Sequence, residues 1–168
     1  MARWFRRYLP GWLRPPDRTA VRLRYGLERS LHDGAVTEMS ALALALGMID
    51  DARVQAVRGR VTHILDDLRQ IGSVIYPPVL ASAGLEPGLR AVAERRGLRL
   101  VLDLPDQELS AEARSRTGLL VSDHFHTLPR GSVVRVRVRG RSWLRISITD
   151  QEPGGSSRRE HRAVLRCA

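Results

Sequence analysis

Apolar residues recur every three or four positions between residues 27 and 49, which is the spacing of one face of an α-helix. At about 100° per residue they fall within an arc of about 120°, the width of a stripe that faces a protein core. The stripe consists of Leu27, Leu31, Ala35, Met39, Leu42, Leu46 and Ile49. His32 lies at the edge of this stripe, so we expect packing to hold its backbone while its side chain stays open to a partner.

A second amphipathic run follows and predicts a second helix. Its apolar positions are Val54, Val57, Val61, Ile64, Leu65, Leu68 and Ile71. Only residues 48–51 separate the two runs, and so short a connection predicts an antiparallel helical hairpin. A two-helix hairpin cannot bury both stripes by itself, whereas two copies can bury them in a four-helix bundle. We therefore expect a homodimer.

The rest of the chain predicts a small α/β layer. Alternating or apolar runs predict strands over residues 98–104, 132–139 and 143–149. A helix is predicted over residues 110–120, with Ser110 as its N-cap. The predicted fold class is α+β, with a helical hairpin that forms a dimeric four-helix bundle, followed by a small α/β-sandwich. The predicted domains are a basic amphipathic or disordered N-terminal tail (1–21), the hairpin (22–78) and the α/β domain (79–168).

Charge adds one feature to this picture. The net charge is +10, and arginine alone carries the positive charge because the chain contains no lysine. That composition excludes a P-loop lysine and Schiff-base chemistry. Residues 1–30 hold eight arginines against Asp17 and Glu28, which leaves +6 in this stretch. Aromatic residues accompany them, so residues 1–16 could contact an anionic membrane surface, or could form a disordered tail or a staple on the bundle.

Three further observations narrow the range of expected binding partners and cellular locations. Arg135, Arg137 and Arg139 give one strand a positive face, but no aromatic residues interleave with them, so nucleic acid is not the expected partner. The single cysteine suits a reducing cytoplasm, and no apolar stretch is long enough to span a membrane. We therefore expect a cytoplasmic protein, with the inner membrane face as an alternative if the N-terminal tail binds lipid.

Histidines outside the first helix give no metal prediction. His124 and His126 lie two residues apart near Asp123, but no cysteine or further histidine cluster accompanies them, so no metal site is predicted. His63 is expected on a helix flank and His161 in a polar C-terminal tail.

His32 and Asp33 form the most informative pair in the chain. A neutral imidazole has one nitrogen with a free lone pair. A carboxylate that accepts the N–H of the other nitrogen fixes the tautomer and strengthens the nucleophile. Attack on phosphorus then needs mainly positioning and charge neutralisation. The pair thus predicts a histidine that accepts a phosphoryl group.

Two segments carry a family resemblance. The run Leu27-Glu28-Arg29-Ser30-Leu31-His32-Asp33-Gly34 and the later Pro77-Pro78-Val79-Leu80 resemble the dimerisation and phosphoacceptor core of sensor histidine kinases that work with response regulators of the nitrate-regulator type. The resemblance implies that His32 is phosphorylated and that Asp33 serves as base or orienter. Family members usually carry Gln four positions after the acidic residue, to position water for dephosphorylation. Thr37 occupies that place here, which puts phosphatase activity in doubt.

The downstream layer resembles the first half of the ATP-binding domain of these kinases. That domain uses a magnesium-binding Asn, an Asp-x-Gly-x-Gly loop for adenine and a Gly-rich lid. Thr127 stands at the Asn position, and the loop keeps Asp150 and Gly154 but has Glu152 in place of its first Gly. Only residues 155–168 follow, too few for a lid. We therefore expect a degenerate, lidless domain in which Asp150 and Gly154 are residual. No cofactor is expected, and ATP with Mg²⁺ would bind only if this site still works.

Two functions follow from the resemblance. The first is a phosphotransfer protein in which His32, assisted by Asp33 and Thr37, receives a phosphoryl group from a partner and passes it to a response regulator. A variant is a true kinase whose lid is missing from this chain. The second is a non-catalytic regulator that dimerises with a histidine kinase or binds a response regulator. The expected partners are a response regulator, a second copy of the chain and, as an alternative, a histidine kinase.

Overall fold

Six α-helices, one π-helical segment and five strands make up residues 11–167, the part of the chain that the computed structural model describes. The helices are α1 (Arg18–Leu31), α2 (Thr37–Gly47), α3 (Ala52–Ile75), α4 (Pro78–Ser82), α5 (Leu85–Arg96) and α6 (Ala111–His126). The strands are β1 (Gly11–Trp12), β2 (Arg99–Asp103), β3 (Val133–Arg139), β4 (Trp143–Gln151) and β5 (Arg158–Arg166). The π segment (His32–Val36) joins α1 to α2.

The chain packs as two units. One is Arg22–Pro77, and the other combines the described residues up to Val21 with those from Pro78 onward. The architecture is α+β, as predicted from the sequence.

The helical unit is the predicted antiparallel hairpin. Gly72 near the end of α3 lies beside Leu31, whereas Arg58 near the start of α3 lies beside Gly47, so the two arms run in opposite directions. Asp51 caps α3 by accepting a hydrogen bond of 2.7 Å from the backbone N–H of Arg53. The hairpin is thus confirmed within one chain.

The π segment corrects the predicted apolar stripe. The prediction took about 100° per residue throughout, but a π turn has i→i+5 geometry and shifts the phase of everything after it. As a result Val36, which the prediction placed off the stripe, is buried at 6% exposure. Leu27, which precedes the π segment and so keeps its predicted phase, and Leu42, which follows it, are 51% and 46% exposed in the single chain.

The second unit is built on a mixed five-stranded sheet in the order β1-β5-β4-β3-β2. Parallel pairing joins β2 to β3 and β1 to β5, and the two central pairings are antiparallel. The strand predicted over 98–104 and the hairpin predicted over 132–149 are confirmed as β2, β3 and β4. Ser110 caps α6 as predicted, by accepting from the N–H of Ala113 at 3.3 Å.

Two strands lie where the sequence predicted tails. β5 occupies the predicted polar C-terminal segment and pairs with the whole of β4. Its alternate residues His161, Ala163 and Leu165 face the core, and this period of two is the signal that was missed. Gly11 and Trp12 add a short edge strand beside β5. The remainder of the predicted membrane-contact segment, residues 1–10, lies outside the described residues.

Leu80 on α4 anchors the core of this unit. Its side chain is 1% exposed and lies against Gly88 of α5 and Gly118 of α6. A Cβ atom at Gly118 would lie 2.6 Å from a methyl carbon of Leu80, closer than packed carbon atoms approach. The two glycines therefore set how closely α4, α5 and α6 pack.

Replacing Gly118 with alanine should destabilise this unit by about 1–3 kcal/mol, the usual cost of overpacking a filled core. The matched control is Gly59→Ala, at a helical glycine with open space around it. That change should be neutral or should stabilise α3 by up to about 1 kcal/mol. Urea unfolding followed by circular dichroism measures both, and an equal effect of the two changes would contradict this packing.

Candidate functional site

His32 opens the π segment, and its side chain is 65% exposed. Asp33 follows it, with its side chain 62% exposed. The Nδ1 atom of His32 and the Oδ1 atom of Asp33 lie 3.5 Å apart, beyond ordinary hydrogen-bond length. The imidazole is therefore open to a reactant, with a carboxylate beside it that a small side-chain rotation would bring into contact.

Arg29 holds the other oxygen of Asp33. Its Nε atom donates to Oδ2 of Asp33 at 3.2 Å, and this hydrogen bond raises the pKa of Arg29. Arg29 lies three residues before His32, so a positive charge lies on the same side of the helix as the imidazole. Such a charge favours the approach of an anionic phosphoryl donor.

The Thr37 side chain forms a hydrogen bond with the backbone of the π segment. Its hydroxyl donates to the carbonyl oxygen of His32 at 2.9 Å. A hydroxyl has one proton, so this bond uses its only donor. Thr37 thus ties the first residue of α2 to the first residue of the π segment, and it is not arranged to donate to a water molecule.

A second group of polar side chains surrounds Asp150 at the end of β4. The carboxylate is 0% exposed, and two imidazole rings and one guanidinium group lie within hydrogen-bond distance of its oxygens. His124 Nε2 lies 3.0 Å and His161 Nε2 lies 3.2 Å from Oδ1, while Arg159 Nε donates to Oδ2 at 2.9 Å. We call Asp150, His124, His161 and Arg159 the Asp150 cluster.

Three elements assemble this cluster. Asp150 ends the inward-facing row of β4, and strand pairing places Arg159 directly opposite it and His161 opposite Ile148. The last turn of α6 supplies His124 from the helix layer. The family resemblance assigns Asp150 to a nucleotide loop, and the sequence places His124 next to His126, with no sign of its contact with Asp150 and His161. The tertiary fold brings His124, which lies 26 positions before Asp150, to the same place as two residues of β5, and local spacing does not reveal this.

Burial governs the protonation of the cluster. It lowers the pKa of His124, and the hydrogen bond with Asp150 opposes this shift only in part. The charges of His161 and Arg159 also lower the pKa of His124. Burial likewise lowers the pKa of His126, whose Nε2 atom has no hydrogen-bond partner among the described residues. Neutral imidazoles are therefore favoured on α6.

The turn after Asp150 departs from a nucleotide loop. Glu152 pairs with Arg159 at 2.9 Å, and Gly155 N–H donates to the Glu152 carbonyl at 3.1 Å. Gly154 has φ of +71°, a left-handed conformation that favours glycine, so the turn itself accounts for this residue. The chain then enters β5 directly. Thr127, at the position of the metal-binding Asn, donates its hydroxyl to the His124 carbonyl at 2.7 Å and so caps α6.

Comparisons with known proteins give limited matches. No protein-family model matches the chain, and a search of curated proteins found no match. Among solved structures, the Erythrobacter litoralis EL346 blue-light activated histidine kinase is 16% identical with a TM-score of 0.33, over 72% of this chain and 45% of that chain. The histidine kinase domain from the same protein is 16% identical with a TM-score of 0.35, over 82% of this chain and 73% of that chain.

This chain thus spans 45% of the first of these structures. Within residues 11–167, no helix has the length and apolar character needed to cross a lipid bilayer.

The stability of the α/β unit should fall as the pH is lowered from about 7 towards 5. The unfolded chain takes up a proton at the ordinary histidine pKa of about 6.5, whereas burial lowers the pKa of His124 in the folded state. The unfolded state therefore binds more protons over this interval, and the loss ends below the folded-state pKa. Thermal unfolding in the presence of a chelator measures the trend.

His124→Gln should flatten this pH dependence, and His126 accounts for part of what remains. His63→Gln, at an 80% exposed histidine on α3, is the matched control and should leave the slope unchanged. A slope that is the same in all three proteins would contradict the assignment to His124.

Proposed function

We propose that this chain is a two-component phosphotransfer protein related to sensor histidine kinases of the nitrate-regulator type. His32 accepts a phosphoryl group from a partner and passes it to the aspartate of a response regulator. The chain does not use ATP by itself. The observation that carries the proposal is an exposed imidazole with a neighbouring carboxylate on one helix, in a chain whose nucleotide-loop Asp is committed to internal partners.

The local geometry of His32 supports a phosphoacceptor. An imidazole that is 65% exposed can reach a phosphorus atom held by another protein without unfolding its own helix. Asp33 can accept its N–H after a small rotation, and Arg29 supplies positive charge for the incoming phosphoryl oxygens. The π segment matters because such bulges occur frequently at functional sites and here place His32 at the change of helical phase.

The Asp150 cluster supports the loss of ATP use. Adenine recognition would require the Asp150 carboxylate to accept an N–H from the base. Both of its oxygens are instead engaged by His124, His161 and Arg159, and its side chain is fully buried. Freeing it would leave a buried charge without partners, which is strongly unfavourable. A carboxylate at Glu152 adds negative charge beside any polyphosphate.

The apolar surface of α3 supports a homodimer. Val57, Ile64 and Ile71 are spaced by seven residues and are 51%, 47% and 51% exposed. They flank Val61 and Leu65, which α3 buries within the hairpin. Heptad spacing is the pattern of a seam between helices, so a second copy of the hairpin is the partner that matches this surface.

A non-catalytic dimerising regulator is the second candidate. Two observations favour it: Asp33 bonds to Arg29 and not to His32, and the Thr37 hydroxyl bonds to the backbone. Such a protein would bind a histidine kinase or a response regulator through the same hairpin without accepting phosphate. Chemical phosphorylation separates it from the first candidate.

Incubation with phosphoramidate, a small donor that phosphorylates histidine, should add one acid-labile phosphoryl group per chain at His32. His32→Gln should abolish the labelling at residue 32, and because His63 is exposed as well, peptide mapping is needed to assign the labelled residue. The matched control His63→Gln should be labelled like the wild type. Mass spectrometry measures the incorporation, and transfer to a response regulator completes the test.

Incubation with Mg-ATP alone should label none of these proteins. Labelling from ATP would refute the loss of nucleotide use. Labelling of His32→Gln at the wild-type level would refute His32 as the acceptor, and a wild type that accepts no phosphate would favour the regulator.

Replacing Ile64 with glutamate should convert the dimer to monomer, because it places a charge in the middle of the exposed seam of α3. Ala56→Glu adds the same charge on the polar side of α3, near Arg60 and His63, and should leave the dimer intact. Sedimentation equilibrium measures the association. A wild type that stays monomeric at high concentration, or equal dissociation of both variants, would contradict the seam.

A further inference from the structure

The Asp150 cluster places three metal-binding atoms together. One ring nitrogen each of His124 and His161 and one carboxylate oxygen of Asp150 all lie within 4.8 Å of one another, and in both rings it is Nε2 that faces Oδ1 of Asp150. His124 and Asp150 are buried, and the His161 side chain is 22% exposed. The three residues come from α6, β4 and β5, so the fold assembles a set that no local motif in the sequence contains.

We propose that His124, His161 and Asp150 bind a divalent transition-metal ion of the zinc class. This inference does not depend on the phosphorylation of His32. The site includes Asp150, the residue that the family resemblance links to adenine recognition. An ion bound there would therefore use the carboxylate that contacts adenine in the kinases.

The distances suit one ion between the three atoms. Two atoms bound to one zinc ion at about 2.0–2.1 Å, at the tetrahedral angle, lie about 3.3 Å from each other. The two imidazole nitrogens lie 3.0 Å and 3.2 Å from Oδ1 of Asp150. Both distances to Oδ1 are thus within about 0.3 Å of the ligand spacing of zinc, and the two imidazole nitrogens, which lie within 4.8 Å of each other, would close on the ion by side-chain rotation.

The donor set selects the class of metal. Two imidazoles and one carboxylate suit zinc and its first-row neighbours, whereas Mg²⁺ and Ca²⁺ prefer shells of oxygen. Each imidazole binds a metal ion through a ring nitrogen that carries no proton. The partial exposure of His161 leaves one side of the cluster open to solvent, where a water molecule can complete a four-coordinate sphere.

The surroundings hold the ligands in place. Arg159 donates to Oδ2 of Asp150 and so leaves Oδ1 directed towards the two histidines. A hydrogen bond to the carboxylate oxygen that does not bind the metal holds the other oxygen in the orientation needed for coordination. On the other side, a Cβ atom at Gly11 would lie 2.7 Å from Nδ1 of His161, so glycine in β1 leaves the space that this ring occupies.

The competing arrangement is a cluster held by hydrogen bonds alone. Oδ1 of Asp150 would then accept an N–H from both histidines at once, with no need for an ion. The two arrangements differ in whether added metal binds with defined stoichiometry and in whether His161 contributes to its affinity.

Titration of untagged, chelator-treated full chain with Zn²⁺, against a chromophoric competitor, tests the proposal. One ion per chain should bind, and it should raise the melting temperature by several degrees, since it binds only the folded state. His161→Ala should lower the affinity by more than the roughly 10- to 100-fold that loss of an outer-shell partner costs. His63→Ala, which removes an exposed histidine beside Asp67, is the control and should bind as the wild type does.

X-ray absorption at the zinc edge of the wild type needs no variant, and it should show two imidazole ligands. This measurement keeps the test decisive if His161→Ala does not fold. A wild type that binds no zinc would overturn the proposal, as would unchanged affinity in folded His161→Ala. Loss of binding in His63→Ala, or a spectrum without imidazole, would also overturn it.

Discussion

The buried carboxylate of Asp150 is the constraint on which the α/β unit depends. A charge without solvent is tolerated only when it is paired and hydrogen-bonded. Here the partners come from α6 and from β5, so the contacts of one carboxylate link the helix layer to the sheet. Asp150, which the family resemblance links to adenine, is in this structure an internal structural centre.

In the helical unit the constraint is exposed apolar surface, whereas in the α/β unit it is a buried charge. Its hairpin buries only a narrow contact between the two arms and leaves heptad-spaced apolar residues on α3 half exposed. The π segment shifts the helical phase at His32, and the Thr37 hydroxyl bonds across it. The two proposed activities thus use different surfaces of one hairpin. The phosphoryl group is accepted on the polar, exposed surface at His32, and the dimer forms through the apolar surface of α3.

Local signals in the sequence predicted much of this. The hairpin, the Ser110 cap and strands β2, β3 and β4 follow from apolar period and capping chemistry. The π segment was missed because an i→i+5 turn leaves no mark in composition. β5 was missed because its polar, arginine-rich outer face hid the alternation of His161, Ala163 and Leu165. The Asp150 cluster was missed because strand register and helix packing create it.

In the proposed function, the commitment of Asp150 to protein partners prevents it from binding adenine. The most direct measurement is a Mg-ATP titration followed by ¹H–¹⁵N NMR signals of the His124 and His161 side chains. The account predicts that these signals stay in place at millimolar nucleotide. Saturable shifts of both signals as ATP binds, with release of their bonds to Asp150, would contradict it.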